Sequence, residues 1–218
     1  MARVLRPARL GPLERLDPLD DRWGYSRGTP VDRHYVDGFL ERHAADIRGR
    51  VLEVKDDGYA RRFGSRVDAV DVIDIDPDNP RATIVADLTA ASVIPEGTFD
   101  CFLLTQTIHL IYDVQAVVTE AHRVLKPGGV LLVTVPTLSR VLRDGGRPVD
   151  YWRFTSAACE RLFGDVFGRD QVHVEAHGNV LTAVAFLMGM ALEELEPQQL
   201  DHRDPRFENL VCVRAVKA

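Results

Sequence analysis

Cysteine is scarce in this chain, basic charge is outnumbered, and no apolar run is long. The 218 residues include 3 cysteines. Cys101, Cys159 and Cys212 lie far apart with no C-x-x-C pair, which argues against a disulfide framework or a thiolate metal site. Cys101 and Cys212 sit in strand-like apolar runs, where buried free thiols in a reducing compartment are expected. Lysine and arginine number 27 against 33 acidic residues, a formal net charge of −6. That balance lacks the basic footprint of nonspecific nucleic-acid binding, so no nucleic-acid partner is expected. The most apolar stretch, "NVLTAVAFLMGMAL" (179–192), is too short to span a bilayer. The opening "MARVLRPARLGPL" has no apolar core of signal-peptide length. A cytoplasmic protein without a membrane partner is therefore the expectation.

Internal repeats and low-complexity linkers are also lacking, and what remains is an ordered alternation. Residues 1–28, rich in Pro, Arg and Asp, read as an irregular arm with the makings of a lid. Residues 29–218 read as a single domain. Its first helix is expected to start with Thr29 as N-cap, Pro30 in the first helical position and Asp32 in the first turn. Val36, Phe39, Leu40 and His43 share one face of it. Near-continuous apolar strands follow at 50–54, 69–76, 82–88, 99–104 and 129–136. Helices are expected around 59–63 and at 114–125, the latter closed by Lys126-Pro127-Gly128-Gly129. Such strands separated by helices indicate a parallel sheet covered on both faces. The tail adds a helix from about Thr155, a strand at 171–176, an apolar helix at 180–195 and a strand at 208–217. Core packing and a homodimer face are the two uses open to the 180–195 stripe of Val184, Leu187, Met188 and Leu195.

The segment "FDCFLLTQTIHLIYDVQAVVTEAHRVLKPGGVLLVTVP" (99–136), with "DYWRFT" (150–155), resembles the class I, Rossmann-like S-adenosylmethionine-dependent methyltransferases. More narrowly it resembles the type-11 methyltransferase-domain group, and the resemblance runs from about Arg27 to the C-terminus. It implies an α/β, Rossmann-like three-layer sandwich whose seven-stranded sheet is mostly parallel with an antiparallel last strand. It implies S-adenosyl-L-methionine as cofactor, a small-molecule acceptor and no metal. Carried over residue by residue, Glu53 matches the acid ending strand one. Asp76 matches the acid ending strand two, which accepts from both ribose hydroxyls. Asp87 addresses the adenine amino group with Leu88 beside the ring. Thr105, Gln106 and Thr107 line the methionine end.

Glycine is lacking where that family most needs it. After "VLEV" the family's loop reads E/D-x-G-x-G-x-G; here the glycine places hold Lys55, Asp57 and Tyr59. Glycine lets a backbone press against a ligand and take positive φ. Two readings are open. The loop is wider, with Lys55 supplying a cation to Glu53, Asp57 or the cofactor carboxylate; or the pocket is closed and the fold serves another purpose. The arm offers compensation: Trp23, Tyr25, Arg27 and Tyr35 could fold over the cofactor, Arg27 facing its carboxylate. Alternatively Trp23 and Tyr35 pack on the sheet and Arg27 is a surface residue.

Methyl transfer is an in-line displacement that depends mostly on positioning, and an alcohol acceptor also needs a base. The candidates are His109, Asp113, Asp150, Tyr151, Arg153 and His177. His109 is either near the reacting methyl group or a half-buried histidine among Ile108, Leu110 and Ile111, whereas His122 reads as structural. "LRDGGRPVDYWRF" (142–154) suits a substrate cover, with Trp152 and Phe154 packing and Asp150 or Arg153 facing the pocket. The expected function is O-methylation of a sugar or natural-product hydroxyl. The alternative is a methyltransferase-fold protein without methyl transfer, serving as an assembly partner or catalysing another reaction.

Overall fold

A computed structural model describes residues 11–218; residues 1–10 of the arm lie outside the described residues. The chain alternates as its apolar runs dictate. β1 (Arg48–Val54), α2 (Gly58–Phe63), β2 (Arg66–Asp74), β3 (Ile84–Val85) and β4 (Phe99–Thr105) follow α1 (Val31–Arg42). Then come α3 (Val114–Val124), β5 (Leu125–Pro136), a small hairpin of β6 (Arg143–Asp144) and β7 (Arg147–Pro148), and α4 (Ser156–Phe167). The tail is β8 (Val172–His177), α5 (Val180–Met188), α6 (Pro197–Asp201) and β9 (Leu210–Val216).

Seven strands form one sheet in the order β3-β2-β1-β4-β5-β9-β8. The pairs from β3 to β5 are parallel, and β9 runs antiparallel to both β5 and β8. The carboxyl ends of the first five strands therefore share one edge. Strand order reverses between β1 and β4, which is where open α/β sheets hold ligands. Alternation along each strand feeds two cores. Leu52, Phe102, Leu104 and Leu131 pack under α3 and α4, while Val51, Cys101, Leu103 and Leu132 pack under α1 and α5. All three cysteines are free and buried, and burial pushes their thiols up. No helix among the described residues is long and apolar enough to cross a membrane.

Several expected boundaries move, each for a tertiary reason. Thr29 does not cap α1: its amide and hydroxyl donate to Glu193 at 3.0 and 2.7 Å, and Pro30 holds the cap position. β5 begins at Leu125 because the Lys126-Pro127-Gly128-Gly129 segment is tied between neighbours, with Gly128 N donating to Lys217 O at 2.7 Å. β3 is confined to two residues at the sheet edge, paired with Ile73 and Asp74. The expected helix at 180–195 ends at Gly189, whose φ of +70° is left-handed, and a Cβ there would run into the Asp20 carbonyl oxygen. Val184 and Leu187 stay 37% and 51% exposed. The residues that α5 buries are Thr182, Ala183, Ala185 and Phe186. Val184 and Leu187 thus face outward, whereas Leu195 is partly buried against the core, so core packing accounts for only part of the stripe.

Candidate active site

The loop after β1 has been rebuilt around side chains. Glu53 is buried, and its carboxylate accepts from the amides of Tyr59 at 3.0 Å and Ala60 at 2.8 Å, capping α2. Burial raises its pKa to about 7 even though those two donors favour the ionised form. Lys55 stands at the first glycine place and takes the glycine conformation, with φ +73°. Its amide donates to Ile73 O at 3.0 Å, and its carbonyl accepts from Asn79 Nδ2 at 2.7 Å. The same Asn79 amide group donates to Asp74 Oδ2 at 2.6 Å, so one side chain binds the loop to the end of β2. Asp56 accepts from Gly58 N at 2.9 Å, and Asp57 pairs with Arg61. Lys55 pairs with neither Glu53 nor Asp57 and has no ion-pair partner among the described residues.

Above this loop lies a cleft of about 940 Å³. Glu53 and Lys55 from the end of β1, Asp74 from the end of β2, and Asp87 and Leu88 after β3 line it. Thr105 and Gln106 after β4 continue the wall, and Tyr112 and Tyr151 close one end edge to face, with centroids 5.5 Å apart. Tyr25, Arg33, Lys55, Gln106 and Leu110 also line a second, inner chamber of about 280 Å³, so the two spaces share a wall. His109 and Asp150 face this chamber. Burial lowers the His109 pKa to about 4, so the imidazole is neutral at pH 7, and Nδ1 has no partner among the described residues. Its carbonyl accepts from Tyr151 N at 2.9 Å and Trp152 N at 3.2 Å, fixing the 150–155 segment against the loop after β4.

A family model described as a methyltransferase domain matches residues 56–133. The ubiquinone/menaquinone biosynthesis C-methyltransferase UbiE of Methylobacterium nodulans is 29% identical over 146 residues, 63% of this chain and 50% of that protein. The chain thus spans about half the length of the curated relative it matches. A SAM-dependent methyltransferase from Archaeoglobus fulgidus superposes with a TM-score of 0.56 at 12% identity, covering 85% of this chain and 94% of that one. The fold is that of the class I methyltransferases. The [4+2]-cyclase SpnF shares it, with a TM-score of 0.57 at 16% identity over 93% of this chain and 87% of its own. So does Haemonchus contortus phosphoethanolamine N-methyltransferase 2, crystallised with S-adenosyl-L-methionine, with a TM-score of 0.55, 16% identity and coverage of 84% and 52%.

On this methyltransferase scaffold the expected residues divide. Glu53, Lys55, Asp87, Leu88, Thr105 and Gln106 all line the cleft. Asp76 does not. β2 ends at Asp74, and Asp76 lies in the following turn, where its carboxylate accepts from Asp78 N at 2.9 Å. Arg27 is drawn away from the cleft by Glu194, to which Nε donates at 3.0 Å. Tyr35 is buried elsewhere, donating to Leu200 O at 3.1 Å and stacking on His177. Asp113 caps α3 through Ala116 N at 3.0 Å. Arg153 forms a bidentate pair with Asp150 at 2.5 and 2.8 Å and holds that carboxylate in place without lining either space. His177 sits among Glu175, Arg42 and Arg203, away from the cleft, and His122 packs on Phe167.

The sequence reading missed Asp74, Asp32 and Arg33. Asp74 was findable by ending the period-two run of "AVDVIDID" two residues earlier. Asp32 shares a helical face with Tyr35, Val36 and Phe39, all buried, and that spacing was the signal that it points inward. Arg33 Nη1 donates to the Tyr59 hydroxyl at 2.9 Å, a contact between α1 and α2 that no local pattern announces.

Proposed function

We propose that this protein is an S-adenosyl-L-methionine-dependent methyltransferase acting on a hydroxyl of a small molecule of the sugar or natural-product class. One observation carries the reading. Acids at the ends of three neighbouring strands, Glu53, Asp74 and Asp87, line one nucleoside-sized cleft that shares a wall with a smaller chamber holding a neutral histidine. The cofactor, when bound, supplies a methyl carbon activated by a sulfonium leaving group. In this reading Asp74 accepts from ribose hydroxyls, Asp87 and Leu88 receive the adenine, and Thr105 and Gln106 flank the methionine end. Lys55, a cleft cation with no ion-pair partner among the described residues, meets the cofactor carboxylate in place of Arg27. His109 Nδ1 takes the acceptor proton, and Asp150, held by Arg153, lies on the same chamber wall. The named acceptors of the relatives differ from one another, so the hydroxyl reading rests on the neutral imidazole, whose Nδ1 faces the chamber region without a partner among the described residues, and not on them.

Calorimetric titration with S-adenosylmethionine and S-adenosylhomocysteine is the test. Saturable binding of both is expected, and Asp74→Asn should weaken it roughly tenfold by removing a charged acceptor. No binding of either compound would retire the reading. The second reading, a methyltransferase fold serving another reaction or an assembly, is favoured by Lys55 at the glycine place and by the cyclase that shares the fold. Cofactor binding without transfer of a labelled methyl group to any hydroxylated acceptor would support it.

A further inference from the structure

Among the described residues four buried side-chain polar atoms have no hydrogen-bond partner. Three of them, Asp32 Oδ1, Arg33 Nε and His109 Nδ1, belong to residues that line the inner chamber. A buried polar atom left unpaired carries a desolvation penalty, and folded proteins hold few of them. Three around one space of about 280 Å³ are best explained as groups kept for a ligand. Two of the three stand side by side on the first turn of α1. Val31, Tyr35 and Val36 bury that helix against the sheet, and the Tyr59 hydroxyl holds the Arg33 guanidinium. Arg33 Nη2 and Asp32 Oδ2 sit 3.6 Å apart, beyond hydrogen-bond length, and Arg33 Nε and Asp32 Oδ1 are left without partners among the described residues.

The remaining wall sets the size and charge of the occupant. Trp23, Leu110, Pro136, Leu142, Phe186 and Leu210 supply apolar surface. Asp32 is balanced by Arg33 and Asp150 by Arg153, while Lys55 is the cation given to the cofactor carboxylate, so the chamber offers no net charge to an ionised acceptor. The volume is at the low end for ligand sites, with room for about one ring. An apolar molecule would strand all three polar atoms. A phosphate or carboxylate would meet two acids, and an amine would meet two cations.

We propose that Asp32 and Arg33 determine acceptor specificity by reading two neighbouring hydroxyls of a neutral, single-ring molecule. One hydroxyl donates to Asp32 Oδ1 and its neighbour accepts from Arg33 Nε–H. His109 Nδ1 is left for the hydroxyl that reacts. This inference deepens the hydroxyl-methyltransferase reading and rests on it for the reaction, though not for the binding.

Saturation-transfer NMR and calorimetry on the intact protein, with and without S-adenosylhomocysteine, test it. The probes are cis-1,2-cyclohexanediol and methyl β-D-glucopyranoside, with cyclohexanol and glucose 6-phosphate as controls. Both probes, which carry neighbouring hydroxyls on an uncharged ring, should bind roughly tenfold more tightly than either control. Asp32→Asn should erase that preference and leave the affinity for S-adenosylhomocysteine unchanged. Arg33→Lys, which keeps the charge but removes the Nε donor, should erase it as well, and serves if the first variant fails to fold. Unchanged diol affinity in either folded variant, or tighter binding of glucose 6-phosphate, overturns the proposal. Diol preference without S-adenosylhomocysteine binding keeps the chamber assignment and removes the methyltransferase. Cofactor binding without diol preference does the reverse.

Discussion

Lys55 is a residue in a glycine's conformation. A side chain at φ +73° costs about 1–2 kcal/mol relative to right-handed backbone, and a glycine there gives back part of the gain through the greater freedom of its unfolded chain. Lys55→Gly should therefore stabilise the protein by about 0.5–1 kcal/mol in urea unfolding. The same variant should bind S-adenosylhomocysteine more weakly, because it removes the cation proposed for the carboxylate. Lys55→Val, with a β-branched side chain, should lose about 1 kcal/mol. Glu53 gives a pH prediction. Its folded pKa of about 7 lies above its ordinary value of 4.5, so its contribution to stability is fully present below 4.5 and is lost as pH rises through 7. Between pH 5 and 8 it should account for a loss on the order of 1–3 kcal/mol, and Glu53→Gln should flatten that part of the profile. Parallel urea midpoints in the two proteins would contradict this.

Among the elements, α5 departs furthest from its sequence pattern. Its most apolar residues do not mark its buried face, because the buried side is built from small residues that pack beside α1, with Phe186 as the exception. Leu187→Gln should cost under about 0.5 kcal/mol, the usual range for a surface substitution. Gly189→Ala should cost more than about 1 kcal/mol from the left-handed backbone alone, and more again from the displaced Asp20 main chain. Thermal melts of the two variants read this contrast directly, and equal losses would mean that α5 is turned the other way. The outward stripe is also where the homodimer expectation would apply. β2 shows a similar limit of pattern reading. Asp74 and Asp76 both fit the alternation, and only the pairing of Ile73 and Asp74 with β3 shows where the strand stops.

At the scale of the whole molecule, the sequence determined the scaffold. Its apolar strand runs, glycine and proline breaks, and amphipathic helices impose a covered parallel sheet, and strand order then brings the ends of β1, β2, β3 and β4 to one edge. Residues at those ends, such as Glu53, Asp87 and Gln106, could be assigned to the cleft wall because strand termini are marked locally. The tertiary structure decided which residues from elsewhere in the chain reach that edge. Arg27 is drawn off by Glu194 and Tyr35 by Leu200, partners more than 160 residues away, whereas Arg33 is kept by Tyr59. It also decided that the inner chamber exists, since Trp23, His109, Leu142, Phe186 and Leu210 meet there from five separate segments. Local pattern records the period of each element and where it ends. Which side chains face one another across a space depends on how the elements pack, and that is a property of the folded chain alone.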